Sequence, residues 1–322
     1  MIGFLSSVID LSIPITAAIL FACLGEIVAE RAGVLNLGVE GVMSVSALTG
    51  IAVSGLTGSY WLGFAVGIVA GAVLSLLLGV FCISMKSDPI ITGVMVTLLG
   101  VALTTFFGQS WTGVDVPTFS PVTIPVLVEL PVVGTALFNN DLPIYLAFLM
   151  VPVVWLFLFR TNLGMELIAV GDDPETADTM GIDVFKLKYL AVIICGLLAG
   201  AGGVLISLSF ADAWTSGLIN GRGWVAIALV IFARWRPVPA LGGAFLFSLI
   251  FAAQFPMQGI DPSALFPLGG TLGPVYDFFF HPIIMSTYPF LFTIAVLALA
   301  TASGTRGVSM PQSLLSPYMR ES

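Results

Sequence analysis

The chain has 322 residues, 58% hydrophobic and 9% charged, with a mean hydropathy of +1.10 and a net charge of −8. Soluble globular chains carry about 25% charged residues, so this composition excludes one and leaves a polytopic membrane protein. The spans are continuous apolar runs, not short alternating strands, so the fold class is all-α.

In chain order, apolar spans are predicted at 9–29, 33–57, 60–84, 89–108, 142–159, 190–209, 223–233, 238–256 and 286–303. The opening MIGFLSSVIDLSIPI lacks a basic n-region, so the first span is expected to be retained rather than cleaved. Between the first two spans lies GVLNLGVEGVM, Gly33 to Met43. Read as helix, it puts Asn36 and Glu40 on one face at i,i+4, with Gly33, Gly38 and Gly41 allowing close packing or a break. An acid inside a span faces a cavity or a partner. Asn36 and Glu40 either line a solute path or satisfy each other or nearby backbone. Gly63, Gly67 and Gly71, and then Gly196 and Gly200, repeat the GxxxG spacing of close helix contacts. The fourth span carries Thr92 and Thr97 and ends at Gln109, further candidates for a solute path.

Residues 109–141 hold Pro117, Pro121, Pro125 and Pro131, and 254–287 hold Pro256, Pro262, Pro267, Pro274 and Pro282. Both read as external loops, serving either as irregular surface or as a docking rim or partial plug. His281 stands alone in the second and reads as structural. Cys23, Cys82 and Cys195 show no CxxC or Cys/His spacing and read as small buried hydrophobes, so no metal or catalytic residue is expected.

Residues 160–188 form a polar island between spans, with three of the ten Lys+Arg and six of the eighteen Asp+Glu. Asp172 and Asp173 precede Pro174 and Glu175, a helix start with an Asp cap, proline at the first position and acids at the positive dipole end. Gly181 fits the residue that ends the helix. A helix over 174–180 is too short to persist alone in water, which favours docking against a partner over an ordinary solvated loop.

Placing this island in the cytoplasm and alternating outward puts Arg31, Lys86, Arg160, Lys186, Lys188, Arg234, Arg236, Arg306 and Arg320 inside, with Arg222 alone outside. The C-terminus is then cytoplasmic. Nine spans put the N-terminus outside; a tenth would reverse it. The sequence has no GxxxxGK[ST], HExxH or GxSxG, so it carries neither a nucleotide-binding loop nor a hydrolytic motif. No basic patch points to nucleic acid.

Three ordered segments carry a resemblance: GVLNLGVEGVM, AVGDDPETADTMGIDVFKLKYLAVIICGLLAGAGG and GRGWVAIALVIFARWRPVPALGGAFLF. They resemble the permease subunits of bacterial ABC importers for simple sugars and nucleosides, with branched-chain amino acid permeases more distant. The similarity runs through about residues 15–255. It implies a single transmembrane domain of about nine to ten helices in the bacterial cytoplasmic membrane, with 160–188 as the segment that contacts a separate ATPase. Gly171, Asp172, Asp173, Pro174, Glu175, Ala177 and Gly181 are the implied coupling residues. A second permease subunit, identical or related, and an extracytoplasmic substrate-binding protein are implied partners, with no cofactor. The nucleoside-type permeases look most similar. Gly221, Gly223, Ala226, Ile227 and Ala228 also match, whereas Ala233 replaces a common glycine and Arg234-Trp235-Arg236-Pro237 is more basic than the pattern. An ion-coupled carrier and a structural membrane scaffold remain the readings from other classes.

Overall fold

The computed structural model describes residues 2–125, 127–129, 134–258, 278–302, 310–314 and 318. It is all-helical apart from one two-residue antiparallel ladder, β1 (Val122–Thr123) with β2 (Asn139–Asn140). The longer helices are α1 (Ile2–Arg31), α2 (Val39–Thr57), α3 (Tyr60–Gly79), α4 (Pro89–Gly108), α6 (Leu142–Arg160), α9 (Val184–Leu205) and α11 (Pro237–Gln258). Each, counting the tighter or wider turns that extend α3, α4 and α9, is long and apolar enough to cross a membrane. Two shorter apolar helices are α10 (Arg222–Ala233) and α13 (Tyr288–Ala302), the latter preceded by α12 (Pro282–Met285). Among the described residues, these seven long helices and two short ones account for the nine predicted apolar runs.

α1 and α9 form the buried centre, with most of each helix hidden from its surroundings, while α4 and α6 keep an outward apolar face. Glycines let the helices approach this closely. A Cβ on Gly100 of α4 would lie 2.6 Å from the Cα of Gly41 on α2, and one on Gly71 of α3 would lie 2.8 Å from the Gly196 carbonyl oxygen on α9. Gly71 and Gly196 are members of the two GxxxG runs, and their spacing marks the α3–α9 crossing as expected.

One end of the bundle gathers several chain segments. The Trp235 indole donates to Glu30 Oε2, and Arg31 Nε and Nη2 each donate to the Trp235 carbonyl at 3.3 Å. Gly171 packs so closely on Arg31 and Gly33 that a Cβ there would clash with backbone. The ends of α1 and α10 and the polar island therefore share one end. The described residues of 109–141 lie at the other, where Ser54 near the end of α2 donates to the Pro117 carbonyl at 2.5 Å.

Five expectations need correction. The second helix starts at Val39, not at residue 33, because residues 32–38 turn back along α1 as an elbow. The polar island holds a helix besides the expected one, α7 (Asn162–Asp172), which buries Leu167 and Val170 and leaves Leu163, Met165 and Glu166 exposed. The loop expected from residue 254 begins later, since α11 runs through Pro256 to Gln258, and 259–277 lies outside the described residues. Arg222 does not sit on an outer surface. It is buried at the start of α10, with its guanidinium 4.3 Å from the Phe251 ring centroid and 5.6 Å from that of Phe210. The 109–141 segment also contains α5 (Gly134–Phe138), placed after the last of its prolines.

The packing gives a paired prediction. Gly100→Ala should lower stability by roughly 1–3 kcal/mol, as overpacking does. Gly242→Ala, where an added Cβ meets nothing within 4 Å, should be neutral or slightly stabilising. Thermal unfolding of the two variants in the same detergent distinguishes them.

Candidate functional site: the elbow and the coupling segment

Irregular backbone at membrane depth survives only when protein satisfies its polar groups. Much of the elbow at 32–38 meets this condition. Ala32, Gly33 and Val34 N–H groups donate to carbonyls of the last turns of α1. The Asn36 N–H donates to Glu26 Oε1 at 2.9 Å, and the Asn36 side-chain oxygen accepts the Gly38 N–H at 2.9 Å. The amide nitrogen of Asn36 reaches Ser75 Oγ at 3.3 Å and Cys195 Sγ at 3.4 Å, while Cys195 donates to Glu26 Oε2 at 3.2 Å. Thr97 on α4 donates to the Leu37 carbonyl at 2.9 Å. All three cysteines are free and buried.

Glu40 continues the same logic one turn into α2. Its two carboxylate oxygens accept the Gly221 and Gly223 N–H groups, each at 2.8 Å, so one acid caps the start of α10. α10 has 12 residues, a length of about 18 Å at 1.5 Å per residue, against about 30 Å of hydrocarbon. Its far end lies beside Glu30 and Arg31, so its capped start lies near half depth. α10 is a half-helix whose exposed donors are taken by a carboxylate from α2.

The residues expected to line a solute path therefore do not converge. Asn36 is outside any helix and shares no helix face with Glu40. Asn36, Glu40 and Thr97 are buried and spent on backbone groups, which is the structural alternative for the first two. Thr92 is half-buried and hydrogen-bonds Cys82. Gln109 is exposed just beyond α4.

The seven residues of the expected coupling set do come together. Gly171, in the last turn of α7, packs against the elbow, and Asp172 at the helix end is exposed. Asp173 caps α8 (Pro174–Thr179), its Oδ1 accepting the Thr176 N–H at 3.1 Å while the Thr176 hydroxyl donates to Oδ2. These bonds hold the Asp173 carboxyl below its ordinary range. Pro174 opens the helix and Glu175 follows, exposed. Ala177 is buried with Val170, Val184 and Leu187, and Gly181 turns the chain at φ +88°. The helix thus ends where the Gly181 signal places it.

Sequence reasoning misses the clasp on this segment. Ser313 N–H and Oγ both donate to the Gly171 carbonyl, at 3.1 and 2.8 Å, and Tyr318 donates to Asp178 at 3.0 Å while packing on Phe185. Leu314 is buried in the main core. The one available signal is an apolar and aromatic group, Leu314 to Tyr318, in an otherwise polar tail.

At the opposite end Ser209, in the wide turn Ile206–Phe210 that ends α9, donates to Asp141. Burial pushes Asp141 up despite that bond. Burial also raises Asp212, opposed by a Thr118 hydrogen bond and reinforced by the Asp141 charge. Among the described residues no three His, Cys, Asp or Glu side chains gather as a metal site.

Two predictions arise here. Glu40→Ala strands two buried N–H groups and should cost about 2–4 kcal/mol, seen as a lower unfolding temperature and loss of assembly; Glu40→Gln should cost less. Asp141 and Asp212 have raised native pKa values, so the protonated native form is favoured. Their contribution is greatest below the unfolded aspartate value and is lost as pH rises through the native values. Unfolding temperature should fall over that rise, and Asp141→Asn should flatten the profile.

Residues 9–272 match the family model described as "Branched-chain amino acid transport system / permease component". A "Putative glucose ABC transporter permease protein" of Haloferax volcanii is 50% identical over 99% of both chains. A guanosine ABC transporter permease protein of Bacillus subtilis is 32% identical over 92% of both, and a nucleoside ABC transporter permease protein of Lactococcus lactis is 29% identical over 87% of this chain and 88% of its own. No solved structure matches the chain. With most of its length inside the family model and a half-identical relative along its whole length, this chain belongs to the branched-chain amino acid transport system permease family.

Proposed function

We propose that this chain is the translocating subunit of an ATP-driven importer in the cytoplasmic membrane, carrying a small hydroxyl-rich solute, with a simple sugar as the first reading. The observation that carries the proposal is the α7–α8 segment. It is a capped, acidic helical knob held to the transmembrane elbow by Gly171 and to α9 by Ala177. The chain has no nucleotide-binding loop of its own, so work done on it must enter through contact with another chain. A ligand shifts an inward–outward equilibrium only by its differential affinity for the two states. α8 is positioned to pass such a difference from a cytoplasmic ATPase to the ends of α1 and α10.

On this reading 160–188 and the C-terminus face the cytoplasm, in line with the distribution of Lys and Arg. A second permease subunit completes the path, and an external binding protein delivers the solute. The 50% identical relative named for glucose favours sugar. The relatives named for guanosine and nucleosides, at 32% and 29%, keep a nucleoside as the second reading. Both solutes are neutral and rich in hydroxyls, so a path lined by backbone and small polar groups suits either.

Replacing residues 174–181 with a flexible linker of equal length should cut ATPase stimulation and uptake at least tenfold while the permease still reaches the membrane. Intact coupling in that variant would sink the proposal. Uptake of labelled glucose against labelled guanosine, with ATPase and binding protein supplied, decides between the two solutes.

A further inference from the structure

The three lysines differ in their surroundings. Lys86 and Lys186 are exposed, and Lys186 pairs with Asp183 at 2.7 Å. Lys188, in the second turn of α9, is 4% exposed. Among the described residues its ammonium has no carboxylate, carbonyl or hydroxyl partner. Removing an ammonium from water without a counter-charge costs several kcal/mol, so a buried unpaired lysine needs a reason.

That reason lies in the cavity the side chain lines, at the coupling end of the bundle. Its wall is drawn from five places: Gly33 of the elbow, Cys82 in the wide turn after α3, Ser87 and Pro89 at the start of α4, Phe185 and Lys188 of α9, and Leu314 with Tyr318 of the tail. Among the described residues no Asp or Glu lines it. Ser87 brings a hydroxyl, whereas the Tyr318 hydroxyl is already engaged with Asp178. The surroundings are thus one cation, one hydroxyl donor and apolar walls.

We propose that this cavity is an oxyanion site, in which Lys188 binds a phosphate group as a point-charge partner and Ser87 donates a second hydrogen bond. The group belongs either to a membrane lipid headgroup, for which a lysine at the inner end of a span is well placed, or to a phosphate-bearing solute from the same side. Two walls of the site, Leu314 and Tyr318, belong to the tail that clasps Gly171 and Asp178. Occupancy therefore tightens the clasp on α7 and α8. The site itself does not depend on the ATPase reading, and its test measures binding without turnover.

The full-length chain, in its complex, is placed in nanodiscs at constant ionic strength. One arm uses phosphatidylcholine with added inorganic phosphate; the other uses phosphatidylglycerol without phosphate. The wild type and Lys188→Arg should show a saturable rise of several degrees in unfolding temperature in at least one arm, and Lys188→Met should show none. A rise in the first arm identifies a soluble phosphate, and a rise in the second a lipid headgroup. No Lys188-dependent rise in either arm overturns the proposal. Should Lys188→Met fail to assemble, labelling of wild-type Lys188 with an amine reagent decides the matter. Protection of at least fivefold by phosphate or phosphatidylglycerol supports the site, and unchanged labelling with both overturns it.

Discussion

Everything at the Gly171 end of the bundle depends on one constraint: the backbone between α1 and α2 leaves the helix inside the bundle, so each of its polar groups needs a protein partner. Glu26 is the principal answer, accepting the Asn36 amide with one oxygen and Cys195 with the other. Asn36 then closes its own turn onto Gly38 and reaches Ser75, and Thr97 takes the Leu37 carbonyl. Through these bonds α1, α3, α4 and α9 are all fixed around seven non-helical residues, 32–38. Bonds to four helices at once rigidify the elbow.

Two further elements are built onto that elbow. Above it, Glu40 carries the start of the half-helix α10, so a movement of α2 reaches the middle of the bundle. Below it, Gly33 meets Gly171 and Ser313, so α7, α8 and the tail press on the same point. The exposed face of α8 is acidic and its inner face is Ala177 with its apolar neighbours. From α8 through Gly171 of α7 to Gly33, then along the elbow backbone to Glu40 and α10, a continuous physical route joins one end to half depth.

Much of this is legible in the residues, and what is not has a common cause. The spans follow from runs of apolar residues, and α8 from Asp173, Pro174 and Gly181, because capping is local chemistry written in adjacent residues. α7 escapes a sequence reading because eleven residues that include Glu166 and Asp172 look like a loop when the buried side is contributed by α6 and α9. Asn36 and Glu40 stand out as costly inside a span, yet their partners are Glu26, Gly221 and Gly223, up to 183 positions away. A carboxylate that caps a distant backbone looks, in one dimension, the same as one that faces a solute. The tail is the same case, since nothing near Ser313 in the sequence names Gly171.

The central claim is that α8, the elbow and the tail form one body that moves together when an ATPase engages. Spin labels at the exposed positions Glu175 on α8 and Met310 in the tail measure it directly in the assembled transporter. A single narrow distance, unchanged between nucleotide-free and ATP-bound states, is the predicted result. A distance that shifts or broadens when ATP binds would contradict it.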